Sequence, residues 1–140
     1  MITPMIHDLH SSKTEIIFGY QSLATNSSQR RMLSVLERMR RYPEFEWTLD
    51  RMADAAALSV PHFSDLCRRH VGVPPLAFLI RQRLRRAEEL LKSGKYNVST
   101  VSKAVGYQDP FYFSRLFRKH MGISPKAYRL QSDAANRVVT

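Results

Sequence analysis

Residues 109–128 read DPFYFSRLFRKHMGISPKAY, and residues 59–78, fifty positions earlier, read SVPHFSDLCRRHVGVPPLAF. Eight of the twenty aligned positions are identical: Phe63/Phe113, Ser64/Ser114, Leu66/Leu116, Arg68/Arg118, His70/His120, Gly72/Gly122, Pro75/Pro125 and Ala77/Ala127. Arg69/Lys119, Val73/Ile123 and Phe78/Tyr128 keep their chemistry. A duplicated structural unit is the simplest account of such self-similarity.

Each copy carries helix punctuation. Ser59 and Asp109 are N-cap residues, Pro110 takes the first helical position and Pro61 the second, and Gly72 and Gly122 end the two helices. Phe63, Leu66, Cys67 and His70, and likewise Phe113, Leu116, Phe117 and Met121, recur at spacings of three and four, which defines one apolar face with a polar, basic face opposite. Beyond the second glycine, Ser124 caps and Pro125 starts another helix.

Working outward, a short helix precedes each copy, Thr48 to Ala57 before the first and Asn97 to Val105 before the second. Leu49, Met52 and Ala53 mark its buried side in one, and Val98, Val101, Ser102 and Val105 in the other. Gly106 permits a sharp turn into the second long helix, a place that Ala57 takes in the first copy. A short helix, a tight turn and a second helix with a basic outer face form a helix-turn-helix, expected here at about 48–71 and again at about 97–121. Leu76, Leu79, Ile80, Leu84, Ala87, Leu90 and Leu91 keep helical spacing, predicting one long linker helix over about 75–92 that ends at Ser93-Gly94.

A further helix over about 28–42 turns Met32, Val35, Leu36 and Met39 inward and Arg30, Arg31, Arg38, Arg40 and Arg41 outward, with Pro43 closing it. Residues 1–27 show no sustained period apart from a β-favouring run at Ile16 to Tyr20, and are read as a leader or the remnant of an upstream domain; residues 131–140 are read as a frayed C-terminal tail. The domain itself spans 28–130, and the fold class is all-α.

Composition narrows the function. The 140 residues carry a formal net charge of +10 and a sequence pI near 10.3, which makes a polyanion the first candidate partner, nucleic acid ahead of an anionic membrane surface. No apolar run approaches the roughly 20 residues that span a bilayer, and no signal peptide is visible. One cysteine, Cys67, rules out an intramolecular disulfide framework and a zinc site built on paired cysteines, and fits a reducing, intracellular setting. The five histidines show no ligand spacing, and nucleophile elbow, phosphate loop and dinucleotide fingerprint are all missing, so the expectation is a non-enzyme with no cofactor and no metal.

The blocks LDRMADAAALSVPHFSDLCRRHVGVPP, RQRLRRAEELL and VSTVSKAVGYQDPFYFSRLFRKHMGISPKAYR, in this order and spacing, resemble the DNA-binding domain of the arabinose-regulator (AraC/XylS) family of bacterial transcription regulators, over about residues 28–130. The resemblance implies a seven-helix, bundle-like domain whose two helix-turn-helix subdomains are joined by a long central helix. It implies that each second helix enters a major groove of double-stranded DNA, so that one chain reads two blocks about one helical turn apart, as a tandem pair and not a palindrome. It also implies a transcription regulator, an activator contacting RNA polymerase, in a cytoplasmic, nucleoid-associated location.

Carried onto this sequence, the base-reading positions of the first unit are Pro61, Ser64 and Asp65, where the family more often has a basic residue at the last. Asp65 either accepts a hydrogen bond from cytosine N4 or pairs with Arg68 or Arg69 and reads nothing. The second unit offers Pro110, Phe111, Ser114 and Arg115; Arg115 suits a bidentate guanine contact and Phe111 a thymine methyl, so this unit is expected to discriminate more. Arg68, Arg69, Arg118 and Lys119 are the phosphate contacts.

Other residues have plainer roles. Arg83 and Arg86 are read as ion-pair partners for Glu88, Glu89 or Asp65 ahead of DNA contacts, and His70 and His120 as helix caps favoured as imidazolium by the helix dipole. Phe63, Phe113, Phe117 and Tyr107 are core and not stacking platforms, and Cys67 is a buried small hydrophobe. Many members of the family carry a separate effector-binding and dimerisation domain, which the residues before Glu44 cannot build. The expectation is therefore either a stand-alone monomer on DNA, or a piece of a longer regulator whose small-molecule effector control and dimerisation lie upstream. The alternatives in other classes are the DNA-targeting module of a repair protein and a non-specific architectural DNA binder.

Overall fold

The computed structural model describes residues 26–139, with side chains as far as residue 134. Among the described residues the chain is a succession of seven helices: α1 Ser27–Arg41, α2 Leu49–Ala55, α3 Val60–Val71, α4 Pro75–Lys92, α5 Val98–Ala104, α6 Pro110–Met121 and α7 Pro125–Val139. The leader over 1–27, with its β-favouring run, lies almost wholly outside these residues.

Local chemistry starts six of the seven helices. Side-chain oxygens of Asn26, Thr48, Ser59, Asn97, Asp109 and Ser124 accept from the backbone N–H of Gln29, Arg51, His62, Thr100, Phe111 and Ala127, at 2.8–3.3 Å. Each bond satisfies one of the donors that a helix N-terminus leaves unpaired. The exception is α4, which opens on Pro74 and Pro75 without a side-chain cap and uses the ring's preset φ instead.

The two turns between α2 and α3 and between α5 and α6 close in the same way. Ala57 N–H donates to Asp54 O and Leu58 N–H to Ala53 O; Gly106 N–H donates to Lys103 O and Tyr107 N–H to Ser102 O. This is the Schellman pattern, which needs a left-handed residue just past the C-cap. Gly106 supplies it at φ +107°, and Ala57 adopts it at φ +55° despite its Cβ. The second turn is longer by one residue, Gln108, placed between the motif and the Asp109 cap.

Packing divides the interior in two. Met32, Leu33, Val35, Leu36 and Met39 of α1 close over Met52 and Ala53 of α2, Phe63, Leu66, Cys67 and Val71 of α3, and Phe78 and Leu79 from the first half of α4. The second half of α4 contributes Leu84, Ala87 and Leu91 to a separate core with Val101, Val105, Tyr107, Phe113 and Phe117. There the rings of Tyr107, Phe113, Phe117 and Tyr128 run in sequence with centroids 5.7–5.9 Å apart. The central helix thus belongs to both units, and α1 covers the first as the second half of α4 covers the second. The buried aromatics confirm these rings as core.

Two expectations need correction. Leu76, assigned to the apolar face of the linker helix, is 47% exposed, because it sits in the first turn of α4 where Phe78 and Leu79 already cover the core. The segment expected to fray from residue 131 continues α7 to Val139. Its early turns are anchored to the rest of the domain, with Tyr128 bonding to Glu88 and Arg129 donating to Gly94 O.

Candidate nucleic-acid interface

The second helix of each unit, α3 or α6, buries one side and presents the other. On α3, Phe63, Leu66 and Cys67 point into the core, which leaves Pro61, His62, Arg68 and Arg69 exposed and Ser64 and Asp65 half-buried between them. On α6, Phe113 and Phe117 are inward, while Phe111, Tyr112, Arg115, Arg118 and Lys119 are exposed and Ser114 is half-buried. Residues at i, i+3, i+4 and i+7 share a helix face, so Pro61, Ser64, Asp65 and Arg68 line up, as do Phe111, Ser114, Arg115 and Arg118. Phe111 is the most exposed large apolar residue in the described chain, at 77%. A phenyl ring so placed in the first turn of α6 belongs to neither core cluster.

Of the two alternatives left open for Asp65, pairing is the one seen. Arg69 Nε donates to Asp65 Oδ2 at 2.9 Å, and its terminal nitrogen meets the same oxygen. Both side chains remain substantially exposed, so the pair is weak and open to competition. On α6, by contrast, Arg115 has no carboxylate partner among the described residues and lies over the Tyr112 ring at 5.9 Å. Two exposed residues, His62 and Tyr112, were not singled out from sequence. They occupy equivalent positions immediately before Phe63 and Phe113, three residues ahead of Asp65 and Arg115, and the repeat alignment itself could have flagged them.

Arg83 is structural, but its partners are not carboxylates. Its guanidinium donates from Nε to Pro43 O at 2.8 Å and from a terminal nitrogen to Phe45 O at 2.9 Å, and lies 4.9 Å over the Tyr107 ring. Arg86 is exposed at the edge of a polar cleft with Arg40, Gln82 and Glu89. The histidine expectation fails at His120. Burial, with Lys119 and Arg81 nearby, holds its imidazole below the ordinary value, the opposite of an imidazolium cap. One late carbonyl of each helix is met by a left-handed glycine, with Gly72 N–H donating to Arg68 O and Gly122 N–H to Arg118 O.

Cys67 is fully buried, donates to Val73 O at 3.2 Å, and has its thiol pushed up to about 12 by burial. A reactive thiolate needs the reverse. Among the described residues no group of His, Cys, Asp and Glu is placed to hold a metal ion, and no helix is long and apolar enough to cross a membrane.

Known proteins carry the same arrangement. The profile of a family described as a helix-turn-helix domain matches residues 52–131. The HTH-type transcriptional regulator AlkR of Acinetobacter baylyi is 40% identical over 91 residues, covering 65% of this chain and 30% of that protein. The arabinose operon regulatory protein of Escherichia coli is 36% identical over 78 residues, 56% of this chain and 27% of its own. The chain therefore spans less than a third of the length of these relatives. Among solved structures, the DNA-binding domain of the global transcriptional factor AdpA, in complex with a target DNA, matches with a TM-score of 0.72 at 29% identity, over 74% of this chain and 94% of that one. With two helix-turn-helix units strung on one central helix and this sequence kinship, the chain belongs to the arabinose-regulator (AraC/XylS) family of transcription regulators, whose all-helical DNA-binding domain it carries.

Proposed function

We propose that the chain binds double-stranded DNA sequence-specifically and regulates transcription, placing α3 and α6 in two adjacent major grooves on one face of the duplex. The observation that carries this reading is the repeated outer face of α3 and α6, exposed at the same register in both units and unneeded by either core. The net charge of +10 supplies the sequence-independent attraction to phosphate. The solved AdpA domain, bound to its target DNA, supports the same use of the shared fold.

Roles follow from chemistry and exposure. Arg115 reads a guanine through its two-pronged guanidinium and Phe111 packs on a thymine methyl, with Ser114 beside them. Pro61, Ser64 and Asp65 form the corresponding surface of the first unit, where the Asp65–Arg69 pair leaves little for readout, so the second unit discriminates more. Arg68, Arg69, Arg118 and Lys119 hold phosphates and fix register. Regulation is by activation through contact with RNA polymerase, in the cytoplasm where the DNA lies. Two reading units in one chain suffice for a monomer to occupy an asymmetric site; effector response and dimerisation belong to an upstream domain of the kind that the longer relatives have room for.

Selection of binding sites from a random duplex pool at near-physiological salt tests the reading. Enrichment of two short blocks about one helical turn apart is expected. Tight, salt-sensitive binding without enrichment would overturn it in favour of an architectural binder. Transcription in vitro from a promoter bearing the selected site, with purified polymerase, tests activation; an unchanged or lowered transcript level would refute it.

A further inference from the structure

We propose that Arg83 is a positioning residue that holds the two recognition helices at one fixed separation and angle, and so sets the spacing of the two DNA blocks that a single molecule can read; the proposal rests on the DNA-reading function above. Arg83 sits midway along α4, the helix common to both cores, and is only 8% exposed. The edge of its guanidinium donates to Pro43 O and Phe45 O, in the connection between α1 and α2 of the first unit. Its plane covers the ring of Tyr107, the residue that closes the α5–α6 turn of the second unit. Gly106 completes the fit, since a Cβ there would lie 3.0 Å from three of the guanidinium atoms. One rigid planar group thus touches the α1–α2 connection of the first unit and the helix-turn-helix turn of the second at once.

Stability alone does not explain this choice. A buried cation pays for desolvation that an apolar side chain of similar volume avoids. What the guanidinium adds is direction: two donors in a fixed fork on one unit and a π face on the other allow one relative setting. Without it, two cores sharing a helix are joined chiefly through non-directional packing, which tolerates rocking. For a protein that must seat two helices in successive grooves, rocking lowers the effective concentration of the second unit once the first is bound.

The experiment compares the full chain with its Arg83→Lys variant, which keeps the charge and most of the reach but not the fork, and with Gly106→Ala, which disturbs the same contact from the other side. Each is titrated against the selected two-block site, a single block in scrambled flanks, and two-block sites with the spacer lengthened or shortened by one base pair. For Arg83→Lys, affinity for the two-block site should fall about tenfold or more while single-block affinity stays within about twofold, and the preference for the native spacer should flatten. An equal loss on both DNAs, or an unchanged spacer preference, would overturn the proposal. A DNA-free arm places spin labels at Asp54→Cys and Lys103→Cys, exposed on α2 and α5, in a Cys67→Ser background. Pulsed electron resonance should show one narrow distance with Arg83 and a broadened distribution with Lys; equal distributions would refute the role whatever the DNA results. Broadening in a protein whose parent selects no two-block site would separate the two claims, leaving the positioning role standing and the DNA-reading function refuted.

Discussion

Tyr128 donates its hydroxyl hydrogen to Glu88 at 2.7 Å, joining α7 to the central helix across 40 residues of sequence. Glu88 is 5% exposed, with Lys92 of its own helix 4.0 Å away, and burial, with the hydrogen bond to the Glu88 carboxylate, pushes the Tyr128 phenol up. Tyr128→Phe removes one donor from a buried carboxylate and little else. It should cost about 1–3 kcal/mol in urea unfolding, the range for leaving a charged acceptor short of a partner. A loss no larger than that of an exposed control such as Tyr96→Phe would show that the bond does not hold α7 in place.

The equivalent turn residues should respond oppositely to opposite exchanges of alanine and glycine. Ala57 is exposed and holds φ +55°, where a Cβ costs about 1–2 kcal/mol, only partly offset by glycine's own entropic cost of about 0.5–1 kcal/mol. Ala57→Gly should therefore raise stability by up to about 1 kcal/mol. Gly106→Ala places a Cβ on a residue at φ +107° and drives it toward the Arg83 guanidinium, so it should destabilise by more than about 1 kcal/mol. Thermal unfolding of both variants decides this, and a shared sign would contradict it.

Readout and anchoring on α6 should separate by salt and by sequence. Arg115→Ala should relax preference at one base pair by about 1–3 kcal/mol. Arg118→Ala should weaken binding to all sequences alike and lower the salt slope by about one. Binding isotherms over a salt series, on selected and scrambled DNA, resolve the two. If Arg115→Ala left sequence preference intact, the second unit would not be the discriminating one.

Acid should weaken the fold through His120. Its folded value lies below the unfolded value near 6.5, so the unfolded chain takes up a proton first as pH falls. The contribution is complete above about pH 6.5 and is lost progressively below it. Tm should drop between about pH 7.5 and about pH 5.5, and His120→Gln should flatten that drop. An identical pH profile in the variant would assign the acid response elsewhere.

What the sequence alone determined was whatever local chemistry controls. Caps at Ser59, Asn97, Asp109 and Ser124, stops at Gly72 and Gly122, and the spacing of Phe63, Leu66, Phe113 and Phe117 each act within one or two helical turns, so the helices and their inner faces were legible. The repeat made the exposure of the outer faces legible as well, while the choice of Phe111 and Arg115 on them came from the family resemblance. Tertiary structure decided the rest. Arg83 bonds to the carbonyls of Pro43 and Phe45, and a backbone carbonyl carries no side-chain mark that could announce a partner 38 to 40 residues away. Helix α7 extends past the expected boundary, held by Glu88 and Gly94 on distant elements, and His120 is kept neutral-leaning by burial and by Arg81 from another helix. Short-range terms write themselves into residue order, whereas burial and long-range hydrogen bonds exist only once the two cores have closed on their shared helix.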